Sequence, residues 1–188
     1  MRQSFRRVGL LGTAFLLAMA GTLLVAGTAS ATKSRQTLDA QSVTQACEVS
    51  ACAKDAVSIP SGRAVDTYCS HPGGGFNLTY TGPATGRGGY IPVANFANNT
   101  VNAERCGSLS GSFARTRIAT NLWSCSGGGC VNFGGGLRAG EQLRAFCHLP
   151  PGAPNSLLVY VPRNTFAGFV RTADLDINPN VPSCNQGF

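Results

Sequence analysis

The sequence predicts an all-β protein made of two small, disulfide-stapled barrels in tandem, exported from the cell that makes it. Three observations carry that prediction. Eight cysteines fall into two sets related by one offset, short apolar runs are cut by glycine and proline turns with no helical period, and an apolar N-terminal stretch ends in a small-residue cleavage pattern.

Residues 1–31 read as a signal peptide: Arg2, Arg6 and Arg7 supply the charged start, residues 8–26 are apolar, and Ala29-Ser30-Ala31 gives the small-x-small site. The mature chain then begins at Thr32. The pair Arg6-Arg7 also suits twin-arginine export, but that route would need disulfides to form in a reducing cytosol, so general secretion is expected. No second apolar run follows, and stable membrane insertion after signal removal is not expected. The tail Asn185-Gln186-Gly187-Phe188 carries no hydrophobic or wall-sorting signal, so the expected location is extracellular or loosely associated with the cell wall.

Loss of Arg2, Arg6 and Arg7 leaves twelve of the fifteen basic residues against eight acids, a mature net charge of +4. The basic residues are spread along the chain, with only Arg115 and Arg117 close together, and they lack the clustered, aromatic-interleaved pattern of a nucleic-acid binder. Attraction to an anionic envelope is compatible with this charge.

The cysteines stand at 47, 52, 69 and 106, and again at 125, 130, 147 and 184, each member of the second set being its counterpart plus 78. The flanks agree. Ile59-Pro60-Ser61-Gly62 aligns with Leu137-Arg138-Ala139-Gly140, and Gly89-Tyr90-Ile91 aligns with Gly168-Phe169-Val170 at an offset of 79, so one residue is gained before this block and one lost after it. The organisation expected is a flexible N-terminal segment at 32–41, repeat 1 at 42–106, a linker at 107–117 and repeat 2 at 118–188. An even cysteine count behind an export signal implies disulfides, and the Cys-x4-Cys spacing lacks the paired knuckles of a zinc site, so no metal or other cofactor is expected. Four cysteines per repeat allow three pairings, among which the spacing does not choose.

Apolar runs recur at 64–69, 78–80, 90–93, 142–147, 157–161 and 169–171, between turns such as His71-Pro72-Gly73-Gly74-Gly75 and Pro150-Pro151-Gly152-Ala153-Pro154. Runs of this length at this turn density predict a small β-barrel in each repeat. About 65 residues per repeat is a size at which a hydrophobic core alone is marginal, which gives the bridges a structural purpose.

These residues resemble the bacterial SH3-like domains of secreted Gram-positive proteins. The resemblance rests on the Leu/Ile-x-x-Gly turns at Leu137 to Gly140 and Ile59 to Gly62, the Gly-aromatic-Val/Ile strands at Gly168-Phe169-Val170 and Gly89-Tyr90-Ile91, and the closing Val181-Pro182-Ser183-Cys184. It implies that the later cysteines of each repeat bond each other, Cys69 with Cys106 and Cys147 with Cys184, leaving Cys47 with Cys52 and Cys125 with Cys130 as self-contained staples. It also implies a non-catalytic protein that recognises cell-wall peptidoglycan or another envelope component. The alternative is a secreted protein-protein effector such as a protease inhibitor, presenting the stapled loops to a protein partner.

Catalysis is not expected. Cys69 and His71 look superficially like a thiol and its base, but a bridged cysteine offers no thiolate, and the eight acids form no repeated pair. Candidate binding aromatics are Tyr80 and Tyr160, nearest to the family's central-strand aromatic, and Trp123, two residues before Cys125, where an indole can stack on a sugar or peptide. The competing role for Trp123 is a place in the core.

Overall fold

The computed structural model describes residues 33–107, 111–125, 129–149 and 155–184. The signal peptide, the turn at 150–154 and the tail at 185–188 lie outside the described residues. Among those residues the regular structure is β-strands and three short 3-10 turns, and no helix is long and apolar enough to cross a membrane.

Eleven strands form two antiparallel sheets. The first holds β1 (Ser34–Thr37), β2 (Ala64–Ser70), β3 (Phe76–Tyr80) and β4 (Gly88–Pro92) in that spatial order. The second holds β5 (Ser112–Thr116), β6 (Thr120–Trp123), β7 (Asn132–Leu137), β8 (Gln142–His148), β9 (Ser156–Val161), β10 (Phe166–Arg171) and β11 (Leu175–Ile177), in the order β11-β5-β8-β9-β10-β6-β7. All six apolar runs of the sequence fall in strands, except that Val93, at the end of the third run, begins a 3-10 turn. β9, Ser-Leu-Leu-Val-Tyr-Val, is buried along its whole length, as a β-branched and aromatic run bounded by turns should be when both of its faces are covered.

The same pairings recur in both halves. Cys69 faces Leu78 across a bulge, and Cys147 faces Leu158 across the same bulge. Leu78 faces Tyr90 as Leu158 faces Phe169, and Ser42 bridges Ile59 as Thr120 pairs with Leu137. Ser70 and Arg105 form a parallel bridge, matched by His148 and Ser183. The counterparts therefore stand 78 apart at Cys69 and Cys147, 80 apart at Leu78 and Leu158, 79 apart at Tyr90 and Phe169, and 78 apart again at Arg105 and Ser183. The single slip read from the sequence is thus resolved into two residues gained in the β2–β3 connection and one lost in each of the next two, all outside the strands, where length changes disturb least.

Two sequence expectations give way. Residues 32–41 were expected to be flexible and 107–117 to be a linker, yet β1 lies in the first and β5 in the second. β1 pairs with β2 over four residues from Ser34 to Thr37, and β5 pairs with β8 from Ser112 to Arg115. Both strands are short and polar, half-exposed, and their stability comes from the neighbour they pair with and not from an apolar pattern. The sheets are also open, with β1 and β4 as edges of one and β11 and β7 as edges of the other, so the strand order does not show closed barrels.

The halves share a core. Tyr68, Leu78, Tyr80 and Tyr90 from the first half lie in one buried cluster with Phe146, Leu158, Tyr160 and Phe169 from the second. Main-chain bonds cross the same seam in matched positions: Gly88 N–H donates to Ser124 O at 2.7 Å, and Ala167 N–H donates to Ala46 O at 2.9 Å. Gly88 is required there, because a Cβ would come 2.5 Å from a Phe169 ring carbon. Two modules moving independently on a linker are therefore not what the chain forms.

The cysteines pair as Cys47–Cys52, Cys69–Cys106, Cys125–Cys130 and Cys147–Cys184, with Cα separations of 5.7, 5.0, 5.1 and 4.9 Å. Each long bridge closes a loop worth about 4 kcal/mol by chain entropy. Four bridges fit an oxidising, extracellular environment.

Candidate functional site

The two interiors differ in chemistry where their registers agree. Thr67, Asn77 and Thr79 in the first half occupy the places of Ala145, Leu157 and Val159 in the second. All six are buried, so the first half must satisfy polar groups that the second replaces with hydrocarbon. Asn77 does this by holding the chain at residues 100–102: its Nδ2 donates to Thr100 O at 2.9 Å and to Gln36 Oε1 at 3.1 Å, and its Oδ1 accepts from Asn102 N–H at 3.0 Å. Asn102 passes the order on, donating from Nδ2 to Thr67 Oγ1 at 3.1 Å and to Ser34 Oγ at 3.3 Å while its Oδ1 accepts from Glu104 N–H at 3.0 Å.

This network fixes residues 100–104 beside β1 and leaves a groove between them. One wall is Ser34, Arg35 and Gln36, and the other runs from Thr100 to Glu104. Its volume of about 620 Å³ lies within the usual range for small-ligand sites, about 300–1,000 Å³. Val101 is 50 % exposed on the far wall, an apolar contact left in solvent. The near wall is basic: the buried Asp66 carboxylate pairs with Lys33 and lies 3.6 Å from Arg35 Nε, which holds the half-exposed guanidinium at the rim. Burial, with Asp66 adding to it, pushes the Tyr80 phenol up to about 12 and the Tyr68 phenol further still, so neither ionises at ordinary pH.

The backbone of β1 adds to the groove. Leu38 N–H donates inward to Arg63 O at 3.0 Å, while Asp39 N–H donates outward to Asn95 O at 2.9 Å. Strand alternation then turns the main-chain groups of Thr37 and Arg35 outward, and β1 is the edge of its sheet. In the second half the same edge continues to pair, Leu175 with Thr116 and Ile177 with Arg115. In the first half Leu38 bridges Phe96, and the chain then turns away through Asn98 and Asn99, both in the left-handed region at φ +58° and +50°. Asparagine tolerates that region better than most residues.

The aromatics singled out by sequence lie elsewhere. Tyr80 and Tyr160 are 1 % and 3 % exposed in the shared core, so their rings pack across the seam and present no face to a ligand. Trp123 packs, partly buried, against that same cluster, with Phe169 opposite it in the β6–β10 pair. The groove was not legible in the sequence, because its walls are mostly polar residues, with Val101 and Ala103 among them, from segments more than sixty positions apart.

Two further polar clusters sit near the staples. His71 is buried against the edge of the Tyr90 ring, its Nδ1 accepting from Gly73 N–H at 3.0 Å and lying 2.8 Å from Glu48 Oε2. Burial lowers the His71 pKa, and the Glu48 charge opposes that shift in part. Cys69 is bridged to Cys106, so the thiol-base pairing considered from sequence is absent. On the other side, Arg87 reaches across the seam, 3.1 Å from Asp55 Oδ2, 3.2 Å from Ser124 Oγ and 3.2 Å from Cys125 Sγ. The counterparts of this buried ion pair are Phe166 and Phe133, both in the apolar cluster of the second half.

What fold and site define is a class: an all-β, four-disulfide protein with a preformed groove of mixed apolar and basic character. No protein-family model and no curated protein matches the chain.

Proposed function

We propose that the protein is a secreted, non-catalytic binding protein built from two SH3-like units, and that it recognises cell-wall peptidoglycan or another envelope component. The observation that carries this reading is the groove between β1 and residues 100–104, held open by the Asn77 and Asn102 network on a frame braced by four disulfides. A site whose walls are ordered before the ligand arrives avoids much of the entropic cost of ordering them. The recurrence of strand pairings at offsets of 78 to 80 supports two copies of one unit, and the disulfides support an extracellular setting.

The test is co-sedimentation of the mature protein with isolated cell walls across a range of salt. Retention in the pellet that survives moderate salt is the expected result. Protein that stays in the supernatant at every salt concentration rejects the reading.

A second reading, a secreted protein-protein effector such as a protease inhibitor, is favoured by Val49, which stands 55 % exposed inside the Cys47–Cys52 loop. A rigid loop presenting an apolar residue suits capture by a protein partner. Inhibition of any member of a panel of extracellular proteases, lost in Val49→Asp, would favour it over wall binding.

A further inference from the structure

We infer that the second half carries a ligand site of its own, a pocket at the ends of β8 and β9 that takes one neutral acetamido sugar ring. This rests on the wall-binding reading for the source of the sugar, a glycan strand, though not for the chemistry of the contact.

The pocket arises because the two halves hold the same segment differently. Ser70 N–H donates to Glu104 O at 2.7 Å and His148 N–H donates to Pro182 O at 2.9 Å, so Asn180 stands where Asn102 does, two residues before the matched carbonyl. Asn102 is tied down: its N–H goes to Asn77 and its amide to Thr67 and Ser34. In the second half the places of Asn77 and Thr67 belong to Leu157 and Ala145, whose side chains neither donate nor accept. The Asn180 amide loses those partners, and among the described residues it has no other, nor have the amides of Asn155 and Asn178. A pocket of about 360 Å³ remains between the strand ends and residues 178–181.

The lining suits one class of ligand. Asn155, Asn178 and Asn180 bring three exposed carboxamides, each able to donate and to accept. Thr172 Oγ1 donates to Asn155 O at 3.1 Å and keeps its lone pairs to accept. His148 Nδ1 lies 2.9 Å from Leu149 O, so the neutral ring carries its proton there and Nε2 is left as the acceptor. The apolar part of the lining is Leu149, Leu157 and Val181, all buried. No Asp, Glu, Lys or Arg is among the lining residues. An acetamido sugar answers each group without charge: its N–H and C=O pair with carboxamides, its hydroxyls reach Nε2 and Oγ1, and its methyl meets the leucines. The volume lies near the lower end of the usual range for small-ligand sites, about 300–1,000 Å³, and suits a sugar ring better than a folded partner. Pro179 fixes φ between two of the asparagines, so less freedom is lost on binding.

The first half has no equivalent. Val93 N–H donates to Gly75 O at 2.8 Å as Thr172 N–H donates to Asn155 O at 2.9 Å, so a glycine and a valine stand where the second half has its amide and hydroxyl.

The full mature protein is titrated with N,N′-diacetylchitobiose and with cellobiose, which lacks the acetamido groups, and backbone amide shifts are followed by NMR. Co-sedimentation with isolated walls is run on the same preparation. Asn178→Ala and Asn180→Ala, both at exposed positions, each remove one carboxamide, with thermal unfolding recorded for both.

Expected are saturable shifts at Thr172, Asn178 and Asn180 with diacetylchitobiose, tenfold or weaker binding of cellobiose, and a several-fold loss in each alanine variant. No binding of diacetylchitobiose, or equal binding of the two sugars, overturns the pocket, and wall binding in the same preparation leaves the function standing. Shifts confined to residues 34–36 and 100–104 assign the sugar to the groove and overturn the pocket. Binding of the disaccharide without binding to walls keeps the pocket and rejects the function. Should an alanine variant fail to fold, the shift map of the unaltered protein decides between these outcomes.

Discussion

Tyr68 and Phe146 pack against each other with ring centroids 5.9 Å apart, and they are counterparts in the two halves, 78 residues apart in the chain. A residue meeting its own equivalent marks the axis of a pseudo-two-fold seam. The paired bonds from Gly88 to Ser124 and from Ala167 to Ala46 obey the same symmetry.

Because the seam is built from core residues of both halves, they should unfold together. Phe146 is 3 % exposed, and Phe146→Ala is expected to cost about 3–5 kcal/mol through lost transfer energy and the cavity left behind. Urea unfolding followed both by Trp123 fluorescence, which reports the second half, and by tyrosine signals should show one coincident transition in the unaltered protein. Separate midpoints would show that the halves are energetically independent.

The polar interior of the first half makes a directional prediction about the groove. Asn77→Leu copies the residue found in the second half, yet it strands Thr100 O and Asn102 N–H, which Asn77 now pairs. The Asn102 N–H is buried, and leaving it unpaired costs about 1–3 kcal/mol, so a loss of stability is expected despite the gain in apolar volume. Amide exchange should rise at Asn102 and Glu104 in this variant, and protection equal to the unaltered protein there would show that the wall does not depend on Asn77.

His71 gives the stability a pH dependence of known sign. Its folded pKa is lowered from 6.5 mainly by burial, so between the folded value and 6.5 the unfolded chain binds more protons. The contribution is fully present above pH 6.5 and is lost as pH falls through the folded value. Denaturant midpoints should therefore decline below pH 6.5 more steeply in the unaltered protein than in His71→Gln. Identical slopes would mean that His71 is not the group responsible.

The two short staples should differ in how readily they open. Reduction of Cys125–Cys130 by a thiolate attacking Cys130 Sγ expels Cys125 as a thiolate, and Arg87 Nη1 already lies 3.2 Å from that sulfur. At the equivalent place in the other half stands Phe166, in the same apolar cluster as Cys52. Graded reduction with alkylation and peptide mapping should trap open Cys125–Cys130 before Cys47–Cys52, with Arg87→Met removing the lead. Simultaneous opening in both proteins would show that Arg87 has no such effect.

Much of the architecture is legible in the chain because its signals are local. The runs at 157–161 and 142–147 are dense in β-branched, aromatic and leucine residues, and both become strands, β9 and β8. The cysteine offset brings out the correspondence of the halves, since bridges constrain spacing more tightly than surface positions do. β1 and β5 escaped notice because Ser-Arg-Gln-Thr and Ser-Phe-Ala-Arg-Thr carry little apolar pattern and become strands by pairing with a neighbour. The groove escaped for a similar reason: Ser34 and Asn102 are unremarkable in sequence and meaningful only once brought within 3.3 Å.

By itself, then, the sequence determined the strand class, the positions of the turns and the equivalence of the cysteine sets, all of which depend on residue type and short-range spacing. Only the tertiary structure decided what the aromatics do. Tyr80 and Tyr160 have the chemistry of ligand platforms, but each half has a hydrophobic face too large for a unit of its size to leave in water, and burying the two faces against each other consumed both rings. The surface left open is instead the groove between β1 and residues 100–104, whose walls are brought together by the Asn77 and Asn102 side chains from distant parts of the chain.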